Sequence, residues 1–299
     1  MVGMLTRTDP GAGSCGLCAL GHRIGPMEIR TMRPAELDLA LDWAAAEGWN
    51  PGLHDAAAFA AVDPDGLLVG LVGGEPAATI AAVRYDDAFA FVGLYIVRPD
   101  LRGHGYGRAL WDAAHERLAG VASGLDGVDA QVPFYARSGY ELETWTYRYE
   151  GRGGARATDR EDVRPVTAAD VTALDARAFP APREGFLRAW TSAPDGRALG
   201  LYRDGALAGY GVLRVCRTGW KVGPLFAPDA AGAEALLDAL VGGIDGPYWV
   251  DVPEANAPGT ALVRDRGMTP TFRTARMYRD RPPAYDRDLV FGVTTLELG

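Results

Sequence analysis

Phe89-Ala90-Phe91-Val92-Gly93-Leu94-Tyr95-Ile96-Val97 runs directly into Arg98-Pro99-Asp100-Leu101-Arg102-Gly103-His104-Gly105-Tyr106-Gly107-Arg108. The first stretch is almost wholly apolar, the pattern of a strand buried on both faces. Arg98-Pro99 ends it, and Arg108 to Leu118 reads as a helix with Leu110, Trp111, Ala114 and Leu118 on one face. Glycines at such a junction let the backbone approach a ligand closely and turn its N–H groups toward a pyrophosphate, which the positive helix end also favours. Arg102 adds a charge-assisted partner for the same phosphates.

Working outward, a strand from Glu28 to Met32 precedes a helix over Pro34 to Glu47 and a shorter one over His54 to Ala61. The loop Gly48-Trp49-Asn50-Pro51-Gly52 joins the two helices. Strands Leu67 to Val72 and Ala77 to Tyr85 lead to the central strand. Gly124 to Asp129, a short helix around Phe134 to Arg137 and a strand from Tyr140 to Tyr149 follow the glycines. Gly151 to Asp162 has the composition of a linker.

Beyond it the order repeats. Val163 to Val166 matches the opening strand, Ala168 to Arg177 the first helix, Arg197 to Val215 the hairpin and Trp220 to Phe226 the central strand. Pro247 to Val252, Gly259 to Arg266 and Thr269 to Tyr278 match the remainder. Val97-Arg98-Pro99-Asp100 corresponds to Phe226-Ala227-Pro228-Asp229, and Leu125-Asp126-Gly127-Val128 to Val250-Asp251-Val252-Pro253. A repeat of this size predicts two copies of one fold.

The 299 residues carry 30 basic and 39 acidic side chains, a net charge of −9 that opposes nucleic-acid binding and favours cationic small molecules. Lys221 is the chain's one lysine, and no Gly-Lys-Ser/Thr run occurs, so a P-loop is excluded. Cys15, Cys18 and Cys216 make no disulfide framework, which fits a reducing cytoplasm. Cys15 and Cys18, even with His22, fall short of the four ligands of a closed zinc site, so no metal is expected. Residues 1–27 read as a flexible tail that is not a signal peptide, and no segment has the length of a membrane span.

A dinucleotide fingerprint competes for the glycines, since Asp126 lies near the distance of a ribose-binding acid. Against it, the spacing is Gly-x-Gly-x-Gly, and residues 98–102 intervene where a Rossmann turn is immediate.

The chain resembles the GNAT superfamily of acyltransferases, whose signature is Arg/Gln-x-x-Gly-x-Gly/Ala after a strand ending Val-x-Pro. Val97, Pro99, Arg102, Gly105 and Gly107 match, as do Tyr135, Gly139 and Tyr140 for the supporting Tyr and Gly-aromatic motif. Glu47-Gly48-Trp49-Asn50-Pro51-Gly52, Gly124-Leu125-Asp126-Gly127-Val128 and Leu296-Glu297-Leu298-Gly299 are similar to phrases of a bacterial tandem-GNAT subgroup with a second domain of the YitH/HolE type. The resemblance implies an α/β (α+β) fold of two tandem domains, residues 28–150 and 163–299 around a 151–162 linker. Each has a mixed, largely antiparallel sheet with flanking helices.

It further implies attack of an amine on the thioester of acetyl-CoA. The cofactor is expected on Tyr95, Ile96, Val97, Arg102, Gly103, His104, Gly105, Tyr106, Gly107 and Arg108, with Tyr135 as general acid. Asp126 acts as base, anchors the ammonium or caps a turn. Trp49 and Asn50 are candidates for shaping the acceptor pocket. A non-catalytic acyl-CoA sensor is the alternative. In the second copy, aligning Pro99 with Pro228 and Leu110 with Leu236 leaves three residues missing from the loop. That half therefore lacks a phosphate cradle, and Asp251 is its polar candidate.

Overall fold

The computed structural model describes residues 26–154 and 160–299. Cys15, Cys18 and His22, most of the 1–27 tail and the centre of the 151–162 linker lie outside the described residues.

The first half contains β1 (Met27–Thr31), α1 (Pro34–Ala46), α2 (Asp55–Ala60), β2 (Leu67–Val72), β3 (Glu75–Arg84) and β4 (Phe89–Val97). It continues with α3 (Tyr106–Arg117), β5 (Ala122–Val128), α4 (Val132–Arg137) and β6 (Glu141–Arg152). The second half contains β7 (Val163–Pro165), α5 (Ala168–Ala178), α6 (Glu184–Thr191), β8 (Arg197–Arg203), β9 (Ala206–Val215) and β10 (Trp220–Phe226). It ends with α7 (Ala230–Val241), β11 (Pro247–Pro253), α8 (Ala257–Asp265), β12 (Thr269–Arg279) and β13 (Val290–Gly292).

Local chemistry accounts for the helices that frame the site. Pro34 opens α1, where a missing N–H costs nothing, and the Glu36 side chain reaches back to accept from the Arg33 amide at 2.7 Å. Leu37, Ala40, Leu41 and Ala44 form its buried stripe. In α3 the buried residues are Tyr106, Leu110, Trp111 and Ala114, again at helical spacing.

The strands form one sheet in the order β1-β2-β3-β4-β5-β12-β6-β11-β10-β9-β8-β7, with β13 paired to β10. Only β4–β5 and β10–β11 are parallel among the described strands. That pattern is not the doubly wound parallel sheet of a dinucleotide-binding fold. Alternation along β3 assigns the two faces: Ala81 and Val83 join a core shared by α1, α2, α5 and α6, whereas Ala78, Ile80 and Ala82 join one built on α3. The second half buries α7 and α8 in its own cluster.

The two halves exchange their last long strands. β12 of the second half pairs with β5, β6 of the first pairs with β11, and β6 and β12 pair with each other at the centre. Register makes the exchange symmetrical, because Arg276 falls opposite Asp126 and Arg148 opposite Asp251.

Candidate active site

β4 and β5 pair only as far as Val92 and Leu125, then part. Between their free ends lies a cleft of about 590 Å³. β4 also bulges there, spending three steps from Gly93 to Ile96 against two on β3 from Thr79 to Ala81. Tyr95, Ile96 and Val97, just beyond or within the bulge, line the cleft.

At the mouth, Gly103 and Gly105 have φ of +81° and +87°, values that a side chain would strain. Gly105 is the N-cap of α3, no side chain among the described residues makes a cap hydrogen bond at that position, and the first turn holds no acid. The leading amides of the helix therefore lack partners within it. Arg102 donates from Nε to the Val97 carbonyl at 2.9 Å and from Nη2 to Glu47. Arg102, Gly103, Gly105, Gly107 and Arg108 line the cleft, while exposed His104 and buried Tyr106 do not. An uncapped helix start, two left-handed glycines and a guanidinium fit a pyrophosphate.

Deeper in, Tyr135 of α4 lines the cleft with its ring 5.4 Å from Trp111 and 5.6 Å from Phe134. Burial, reinforced by the neighbouring Tyr95 and Tyr140, raises its phenol well above the ordinary tyrosine range, so it carries its proton at neutral pH. Burial likewise pushes Tyr95 up to about 12.

The predicted acids are both committed to arginines. Asp126 lines the cleft, but its buried carboxylate is gripped by Arg276 at 3.0 and 2.6 Å and takes a longer contact from Thr274. Burial raises the Asp126 carboxyl, with Arg276 opposing. Asp251 is not among the cleft residues; Arg148 holds it at 2.7 and 2.9 Å. Burial opposes ionisation of Asp251 too, but Arg148, Lys221 and Arg214 outweigh it and leave the carboxyl below its usual range.

Trp49 lines the cleft, and its carbonyl accepts from Arg148 and from Lys221, each at 2.8 Å. Asn50 does not line it. Its side chain both donates to and accepts from the Thr218 backbone, which ties the loop to the β9–β10 turn of the second half.

Residues 35–140 match the acetyltransferase (GNAT) family, and residues 171–292 match an acetyltransferase (GNAT) domain. The chain carries two GNAT domains in tandem. It is 28% identical over 277 residues to the holothin acyltransferase of a Pseudoalteromonas species, covering 90% of this chain and 94% of the relative. It is 27% identical over 168 residues to the N-acetyltransferase YitH of Bacillus subtilis, covering 54% of this chain and 60% of that one. A crystal structure of an acetyltransferase-like protein from Pyrococcus horikoshii shares the fold with a TM-score of 0.76 at 22% identity, covering 91% of this chain and 96% of the other.

In this tandem GNAT chain the second half builds part of the first half's cleft. Phe272 and Thr274 of β12 and Leu296 and Glu297 of the closing segment line it. Sequence reasoning assigned these four residues no role, although it singled out the phrase Leu296-Glu297-Leu298-Gly299. Gly93 explains how the segment fits: a Cβ there would stand 1.8 Å from the Glu297 carbonyl oxygen. Any side chain at 93 would push the segment out of the site.

Proposed function

We propose that this GNAT chain transfers an acetyl group from acetyl-CoA to a primary amine by direct attack on the thioester. The observation that carries the reading is the parted β4–β5 pair, with a glycine-turned, uncapped helix at one end and a protonated tyrosine at the other. Acetyl-CoA supplies the thioester and a thiol leaving group. Arg102 and the amides from Gly103 to Gly107 hold its pyrophosphate, and the free edge of Tyr95, Ile96 and Val97 accepts the pantetheine arm in strand fashion. Tyr135 donates its proton to the departing sulfur.

Calorimetric titration with acetyl-CoA is expected to give one site per chain, and release of free CoA in the presence of an amine panel is expected to follow. Two sites, or no binding, would refute the assignment. The relative named for holothin supports an acceptor that is a small molecule.

A further inference from the structure

Among the described residues three acidic residues line the cleft, and the partners of their carboxylates separate them. Glu47 pairs with Arg102 at the phosphate end. Asp126 is fully buried beneath Arg276. Glu297 accepts from the hydroxyl of Thr295 and, among the described residues, makes no ion pair within contact distance. Its charge is balanced at longer range by Lys221, Arg148 and Arg214, all of them buried. Among the described residues, Glu297 is therefore the cleft acid whose carboxylate carries no arginine.

Trp49, Phe272 and Leu296 supply apolar surface to the same cleft, and two of them are held in place. Trp49 is anchored through its carbonyl by Arg148 and Lys221, and the Arg148 guanidinium lies 5.5 Å from the centre of the Phe272 ring. Leu296 completes the chamber. A polyamine or aminoglycoside brings several ammonium groups, and apolar walls offer the extra charges nothing but desolvation.

Building on the acyl transfer proposed above, we propose that Glu297 receives the acceptor's amino group and that the acceptor is a primary amine on a compact apolar body seated between Trp49, Phe272 and Leu296. The ammonium gives one proton to the Glu297 carboxylate. The neutral nitrogen then forms the C–N bond as the C–S bond breaks, and Tyr135 protonates the sulfur. The second nitrogen proton restores the phenol, and Glu297 returns its proton to solvent.

The test follows CoA release from acetyl-CoA with phenethylamine, tryptamine, spermidine and kanamycin. The aromatic monoamines are expected to exceed the polycations at least tenfold in kcat/KM. Glu297→Gln is expected to lose about a hundredfold or more in kcat/KM, with acetyl-CoA affinity by calorimetry within twofold of the parent. Glu297→Asp, which keeps the charge beside Lys221 but retracts it, is expected to lose about tenfold and keeps the test decisive if the Gln variant fails to fold. Parental turnover in either variant would reduce Glu297 to a counter-charge for the buried lysine and overturn the proposal, as would a preference for spermidine or kanamycin. Wild-type protein that binds acetyl-CoA yet acetylates none of the four overturns the amine reading itself, before any variant is compared.

Discussion

The clefts of the two halves start from the same geometry and end differently. β10 and β11 pair as far as Val222 and Val250 and then part, and β10 bulges against β9 between Val222 and Leu225 as β4 bulges against β3. In the first half the freed edge from Leu94 to Val97 lines the cleft. In the second, β13 fills the gap: Gly292 and Val290 pair with Leu225 and Phe226, and the Val293 amide donates to the Asp251 carbonyl on the other side at 2.9 Å. The helix starts differ as well. α3 begins seven residues after Pro99, whereas α7 begins two after Pro228. Asp229 then caps α7 by accepting from the Gly232 amide at 2.8 Å, and its carboxyl is held down to about 2 by Arg203 and that amide. An anion is thus already built into the position where a phosphate would sit. On the function proposed above, one fold serves as a binding site in the first half and as a scaffold in the second, according to what occupies its opening.

The exchanged arginine pairs are the feature the two clefts share, and breaking one is the largest perturbation available. Arg148→Ala leaves Asp251 buried without its partner, so urea unfolding should show a loss of about 3 to 5 kcal/mol, and Arg276→Ala a similar one. A loss under 1 kcal/mol would mean that backbone pairing alone holds the exchanged strands. Next in size, Tyr135→Phe should lower turnover about a hundredfold or more while acetyl-CoA affinity is kept; turnover within a few-fold of the parent would leave the ring as packing.

The loop contrast is tested by a matched pair of variants. Arg102→Ala should weaken acetyl-CoA binding by about 1.5 to 3 kcal/mol, the range for hydrogen bonds to a charged group. Arg203→Ala, beside the corresponding helix start, should leave it unchanged, and equal losses would erase the distinction between the two loops. The smallest expected effect has the opposite sign. Glu47→Ala frees Arg102 from an exposed ion pair worth about 0.2 to 1 kcal/mol, so acetyl-CoA should bind more tightly by up to that amount.

The central strand, the glycine loop and the duplicated order were legible because each is written in a local pattern of apolar residues, glycine and proline. β13 was not, since Val290-Phe291-Gly292 is too short to show alternation and reads as strand only against β10. α6 was also missed: its buried Phe186, Leu187 and Trp190 occupy barely two turns just after Pro180 and Pro182. The exchange had no local signal at all. β6 and β12 each read as strands, but their partners are chosen by register across the whole chain. The same non-locality hid the fate of Asp126, a candidate base by position until Arg276, 150 residues away, is placed against it.

Strand exchange also dictates an order of events during synthesis. The outer edge of β5 finds no partner until Thr269–Arg279 has left the ribosome, so the half made first cannot finish its sheet when its own residues are complete. Contacts of such long sequence separation slow folding, and an unpaired edge exposed meanwhile is a template for the wrong strand. The nascent chain therefore carries that open edge from the completion of β5 until β12 emerges, and both halves reach their final form together.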